Sequence, residues 1–262
     1  MMYRLIVTVL CVSASVRYGH CRNLQEKIVG GQSTTIEKYP YQLSLLYGGS
    51  HFCGASLIKN DVVLTAAHCV ENYDVSDFST RAGSTYRTEG GVIIPLKKAC
   101  PHPKYTSPFS DYDVAVLQLE KPYQLSASIK TIPLQARGVE VPAGAMGTAT
   151  GWGAIVFDGP LAEVLQEVNV PKIKTADCEN FYPEEDVTSR MDCYGYKEGN
   201  KDVCQGDSGG PVVVGGKVTG IASWGYGCAF PNRPNVYTAI SNQEVNDFVT
   251  KFLNDPNNFV NC

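Results

Sequence analysis

One ten-residue stretch constrains this chain more than any other: DVCQGDSGGP, residues 202–211, which sets a single serine among glycines, beside a cysteine and two aspartates. Residues 206–210 read G-x-S-x-G, the form of the strand-to-helix nucleophile turn of α/β-hydrolases. In that architecture the acid and then the histidine follow the nucleophile in chain order. Here the histidines are His20, His51, His68 and His102, all upstream of Ser208. The α/β-hydrolase fold is therefore excluded, and any base and acid serving Ser208 must come from earlier in the chain.

The rest of the sequence reads as an all-β protein. Short runs rich in Val, Ile, Leu and Thr recur at 41–47, 62–67, 113–119, 145–152, 211–224 and 235–240, each bounded by Gly, Pro, Asn or Asp. Gly215 and Gly216 between PVVV and KVTGI predict a two-residue hairpin turn. One helix is expected near the end. Ser241 and Glu244 have the spacing of a capping box, and Val245, Phe248, Val249, Phe252 and Leu253 form one buried stripe. A polar tail follows and ends in Cys262.

Compartment and charge narrow the function. Residues 1–15 carry Arg4, an apolar run and then small residues, the pattern of a secretory signal too short to span a membrane. Ten cysteines in a secreted chain read as disulfides, and no C-x-x-C pair suggests structural zinc. The net charge of −4 becomes −7 once residues 1–27, with four cationic side chains and one acidic, are removed. Nucleic-acid and heparin surfaces are disfavoured, and no later stretch is apolar enough for a bilayer.

An upstream base and acid are present in specific settings. His68 ends the strand-like run LTAAHCV beside a cysteine, and Asp113 stands at the mouth of the apolar strand DYDVAVLQL. His68, Asp113 and Ser208 form the candidate triad.

At these residues, and at KIVGGQ (27–32), HFCGASLI, GWG (151–153) and SWGYGC (223–228), the chain resembles the trypsin/chymotrypsin family of serine endopeptidases over nearly all of residues 28–253. The resemblance implies two six-stranded antiparallel β-barrels, followed by a C-terminal α-helix, with the active site between the barrels. The expected organisation is a signal peptide at 1–15, an activation propeptide at 16–27, a first barrel over 28–130, and a second barrel with helix and tail over 131–262. Ser208 would be the nucleophile, His68 the base and then the acid, and Asp113 the group orienting the imidazole. The backbone N–H groups of Gly206 and Ser208 would form the oxyanion hole. Ser223 would hydrogen-bond near Asp113, and the backbone of Ser223, Trp224 and Gly225 would pair with substrate as an added strand.

The resemblance also implies activation by cleavage after Lys27, the new Ile28 amine inserting beside Asp207. It implies the disulfides Cys53–Cys69, Cys178–Cys193 and Cys204–Cys228. Cys11 leaves with the signal, so Cys21, Cys100 and Cys262 remain. Cys262 lies nine residues beyond the helix stripe, a reach of up to about 30 Å. Cys100–Cys262 is the expected bond, with Cys21 bridged to either partner as the rival.

Asp202, six residues before Ser208, matches the pocket-floor carboxylate that selects Arg or Lys in trypsins. Val203 stands where many trypsins have serine, which should favour Arg, whose planar fork pairs with a carboxylate directly. Asn235 stands where the resemblance expects a glycine, and its side chain should narrow the pocket. The segment at 81–92 offers only Glu89 to a calcium ion, too few carboxylates for a hard cation, so no metal is expected and no cofactor. The expected protein is a secreted monomer acting on polypeptides, with protein protease inhibitors as further partners. A weakened or inactive homologue acting as a binding protein would keep the same framework.

Overall fold

The computed structural model describes residues 30–107, 110–185, 187–260 and 262. The signal peptide, the propeptide, Lys27, Ile28 and Cys21 lie outside them. Six strands, β2 (Gln42–Tyr47), β3 (Ser50–Lys59), β4 (Val62–Thr65), β5 (Phe78–Ala82), β6 (Val92–Pro101) and β7 (Ala115–Leu119), close into a barrel in the order β2-β3-β4-β7-β6-β5. Every pairing is antiparallel. Alternating side chains point inward, so Leu43, Leu45, Ala55, Leu57, Val63 and Leu117 fill the interior with no solvent exposure.

The second sheet has seven strands where six are expected. Its order is β1 (Gln32–Ser33), β9 (Gln166–Pro171), β8 (Met146–Gly151), β11 (Pro211–Val214), β12 (Lys217–Trp224), β13 (Asn235–Ala239) and β10 (Met191–Tyr194). The seventh is β1, which pairs on the outer side of β9. The remaining six curl until their ends meet. Lys172 bridges Tyr194, Ile173 N–H donates to the Cys193 carbonyl at 2.8 Å, and Gly195 N–H to the Pro171 carbonyl at 3.0 Å. This second closure is a short seam rather than a full strand pair, and a buried Lys172–Asp192 ion pair lies beside it. Gly215 and Gly216 both have positive φ, as the two-residue hairpin turn between β11 and β12 requires.

The C-terminal helix is α2 (Gln243–Asn254), and Val245, Phe248, Val249 and Phe252 are buried in the core of the first barrel. Leu253 only flanks that core. The cap is Asn242, not Ser241. The Asn242 side chain accepts from the N–H groups of Glu244 (3.0 Å) and Val245 (3.3 Å), whereas the Ser241 carbonyl is taken by Gly138 N–H. Beyond α2, a 3₁₀ turn at Pro256–Phe259 buries Phe259 against Phe252 and leads the tail to β6, where Cys262 bonds Cys100. A shorter helix, α1 (Thr175–Phe181), has no counterpart in the sequence reading. Only Cys178 is buried in it, held by a disulfide to Cys193, so no apolar stripe announces it.

Candidate active site

The register of two strands brings His68 to Asp113. In the β4–β7 pair Thr65 lies opposite Ala115, so the residues just after β4 meet those just before β7. His68, in the 3₁₀ turn Ala67–Cys69, thereby faces Asp113. His68 Nδ1 is 2.7 Å from Asp113 Oδ2, and the His68 backbone N–H donates to Oδ1 at 2.9 Å. Ser223 Oγ donates to Oδ2 at 2.5 Å, and Thr238 Oγ1 from the second sheet donates to the Asp113 carbonyl at 2.8 Å. Asp113 is wholly buried, while the His68 side chain is 30% exposed to the cleft. Burial lowers the affinity of His68 for a proton, but the hydrogen bond and charge of Asp113 outweigh it and hold the imidazole above its ordinary value.

Ser208 is carried by the tight loop that enters β11. Asp207 N–H donates to the Cys204 carbonyl at 2.9 Å, Gly210 N–H to the Asp207 carbonyl at 2.9 Å, and Gly54 N–H of β3 to the Ser208 carbonyl at 2.8 Å. This crossing of loop and strand admits no side chain. A Cβ on Gly209, at φ +77°, would lie 2.2 Å from Thr65 Oγ1, and one on Gly54 would lie 2.8 Å from Gly210 Cα. The disulfide sulfur of Cys69 spaces the loop from the base, 3.8 Å from the Ser208 carbonyl and 3.6 Å from His68 Nε2. The Ser208 hydroxyl has no hydrogen-bond partner among the described residues. Such contacts often tighten only around substrate.

Behind the loop, Asp207 is fully buried. Its oxygens accept the N–H groups of Gly153 (2.8 Å) and Cys204 (3.0 Å), and burial pushes the carboxyl up to about 6. Gly30 lies against Asn200 and Lys201, just ahead of Asp202 in the chain. His51 is a participant that the sequence reading missed. Its ring spans Ser44 Oγ (2.7 Å) and the Gly206 carbonyl (2.9 Å), tying β3 to the loop that carries Ser208. Burial lowers His51 to about 4, so the ring is neutral. The signal was HFCGASLI, in which His51 lies two residues before the disulfide cysteine Cys53.

A cavity of about 250 Å³ opens beside Ser208, lined by Val203, Ser223, Trp224, Gly225 and Asn235 among others. Asp202 is not part of its lining. It is 2% exposed, accepts Val203 N–H at 2.9 Å and Ala229 N–H at 3.1 Å, and is hydrogen-bonded by the Asn235 side chain. Burial pushes Asp202 up to about 7. The Asn235 amide also donates to the Val203 carbonyl at 3.2 Å. Cys53, His68 and Cys69 have ligand atoms within 4.8 Å of one another, but both sulfurs are in a disulfide and offer no thiolate to a metal.

The family model described as Trypsin matches residues 28–249. The chain is 42% identical over 216 residues to a vitellin-degrading protease of Bombyx mori, covering 82% of each chain. It is 39% identical to a trypsin of Phaedon cochleariae, over 82% of this chain and 84% of the relative. It is 42% identical to serine protease 1 of Rattus norvegicus, over 83% of this chain and 87% of the relative.

Proposed function

Because the chain belongs to the trypsin family of serine proteases, we propose that it is a secreted, zymogen-activated endopeptidase that hydrolyses peptide bonds through an acyl-enzyme. The observation that carries this reading is the buried Asp113 carboxylate set between His68 Nδ1 and Ser223 Oγ. A carboxylate so placed fixes the tautomer with the proton on Nδ1, and leaves Nε2 as the base.

In the acylation step His68 Nε2 takes the Ser208 proton as Oγ bonds to the scissile carbonyl carbon. The oxyanion so formed is held by the N–H groups of Gly206 and Ser208. Collapse breaks the C–N bond, with His68 returning the proton to the departing amine. Water then repeats the sequence, His68 taking its proton as it adds to the acyl carbon, and the ester to Ser208 breaks as His68 returns that proton to the departing Oγ. Asp113 stays ionised throughout, and its charge supports the imidazolium.

Activation follows from the burial of Asp207. Cleavage after Lys27 would free the Ile28 ammonium as partner for this carboxylate. The position of Gly30 against Asn200 and Lys201 supports that path. Secretion rests on the signal-like residues 1–15 and on the four disulfides. Among the described residues no helix is long and apolar enough to cross a membrane. The partners are polypeptide substrates and protein protease inhibitors, and the protein acts as a monomer.

On resemblance alone, the residue ahead of the scissile bond is Arg, then Lys, drawn toward Asp202 through a pocket narrowed by Asn235. A second reading, an uncharged residue there, is favoured by the Asn235 amide standing between Asp202 and the cavity. The activity itself is tested by treating protein cleaved after Lys27 with a fluorophosphonate. Labelling of Ser208 supports the enzyme, and its failure favours an inactive homologue acting as a binding protein.

A further inference from the structure

Among the described residues, no Asp, Glu, Lys or Arg lines the cavity beside Ser208. Asp202 adjoins the lining residue Val203 in sequence, and both of its oxygens are already engaged, by Val203 N–H and Ala229 N–H, with the Asn235 amide as a third donor. The reason lies in strand register. Trp224 pairs with Val236 across the β12–β13 bulge, so the next residue along each strand, Gly225 and Asn235, face one another. Val236 turns into the core with Met191, and alternation sends Asn235 to the cavity side. The Asn235 side chain then spans the slot. A Cβ built on Gly225 would lie 3.1 Å from Asn235 Oδ1 and 3.3 Å from its amide carbon.

We infer that Asn235 ends the specificity pocket short of Asp202, and that the enzyme selects an uncharged side chain of alanine-to-leucine size ahead of the scissile bond over arginine or lysine. This rests on the serine-endopeptidase reading and names the substrate class of that same site. A cationic side chain entering here loses its water and meets the oxygen of a neutral amide instead of an open carboxylate, a poor exchange for a buried charge. An aliphatic side chain asks only for contact, which Val203, Ala222 and the Cys204–Cys228 disulfide supply. The amide is itself anchored, with Nδ2 on the Val203 carbonyl and on Asp202, so it does not swing aside without leaving the carboxylate short of a donor. Burial pushing Asp202 up to about 7 weakens its attraction for a cation at neutral pH further.

The test is kcat/KM of activated wild type and Asn235→Gly on short peptide anilides ending in Ala, Val, Leu, Phe, Lys or Arg. Wild type is expected to turn over the best of Ala, Val and Leu at least tenfold faster than Arg and Lys. Asn235→Gly is expected to raise Arg and Lys at least tenfold. Asn235→Ala serves if glycine unfolds the strand, and binding of p-aminobenzamidine, an aryl amidinium, reads the pocket without turnover: weak on wild type, at least tenfold tighter on the variant. A wild type that prefers Arg, Lys or Phe overturns the inference, as does equal p-aminobenzamidine binding by wild type and variant. If Ser208 takes the fluorophosphonate while Arg is cut best, this inference alone falls. If no peptide is cut and Ser208 stays unlabelled, the endopeptidase reading falls and takes the inference with it.

Discussion

Asp113 Oδ2 lies 2.7 Å from His68 Nδ1, and the other oxygen of the same carboxylate receives the His68 backbone N–H. The acid thus holds both the ring and the turn that carries it. Asp113→Asn preserves this shape but offers an amide where an acceptor is needed, favouring the tautomer with Nε2 protonated. A fall in kcat of about four orders of magnitude is expected, the loss described for this type of triad, with little change in KM. Ser208→Ala should abolish turnover with thermal stability nearly unchanged, and residual cleavage by repurified Ser208→Ala protein would contradict the assignment.

The raised proton affinity of His68 should set the acid limb of activity. The base works only when neutral, so kcat/KM should fall as pH drops through a value above the ordinary imidazole range of about 6.5. In Asp113→Asn the charge that raises it is gone while burial remains. The limb should then move to lower pH, which a profile from pH 4 to 9 reads directly. An unmoved limb would mean that another group controls it.

Much of this site was legible because its residues sit in local settings with a single use. Strand runs ending at His68 and starting near Asp113 are visible in sequence, and antiparallel pairing of those runs then brings the two together. What the sequence hid was whatever depends on contacts between distant segments. His51 looks like any strand residue until β3 passes under Gly206. The cap of α2 went to Asn242, because its longer side chain reaches two N–H groups while Ser241 is tied to Gly138. The outer pairing of β1 involves two residues, too few for any periodic pattern. Asn235 stands out in the sequence as a departure, but its bonds to Val203 and Asp202 depend on three-dimensional register.

Activation should be an electrostatic switch. Lys27→Gln should keep the precursor intact under trypsin, and Asp207→Asn should stay inactive even when cleaved, since an Ile28 ammonium buried without its partner costs roughly 3–5 kcal/mol. Pairing raises the amine pKa above its free value of about 7.7–8.0. The active conformation is therefore fully supported below that free value and lost as pH rises through the raised one. Gel analysis of cleavage together with activity from pH 7 to 11 checks both points, and full activity in uncleaved protein would refute the switch.

A clamp between the barrels positions the acid. Arg190 donates Nε and Nη2 to the two oxygens of Asp111 at 2.7 and 2.6 Å, and its guanidinium lies 4.5 Å from the Tyr112 ring centre. Tyr112 stacks on His102 by its ring and has a positive φ of 55°, immediately before Asp113. Removing the guanidinium frees a strained backbone at the acid. Arg190→Ala should lower stability by about 1–3 kcal/mol, less than for a fully buried pair because both side chains are about one-fifth exposed. It should also lower kcat about tenfold or more with KM little changed. Arg190→Lys should recover part of the stability but less of the rate, since an ammonium cannot make the forked pair. A Tm loss without any change in kcat or in the acid limb would reduce the clamp to a structural brace.

The Cys100–Cys262 bond gives the last expectation. It joins residues 162 apart in sequence and fastens the tail after α2 to β6 of the first barrel. Phe259, buried against Phe252, already brings the tail to that place, so the bond fixes a contact that packing has made. Its contribution is then mainly to restrict the unfolded chain, about 2–4 kcal/mol, or a Tm loss of roughly 5–15 °C when it is removed. Cys262→Ser with Cys100→Ser should show that loss while kcat/KM at 25 °C stays within about twofold, because neither sulfur approaches the cleft. Non-reducing peptide mapping of the wild type checks the pairing itself. A crosslinked peptide containing Cys21 would instead tie the propeptide to the activated enzyme, and the double variant would then release the propeptide after cleavage at Lys27.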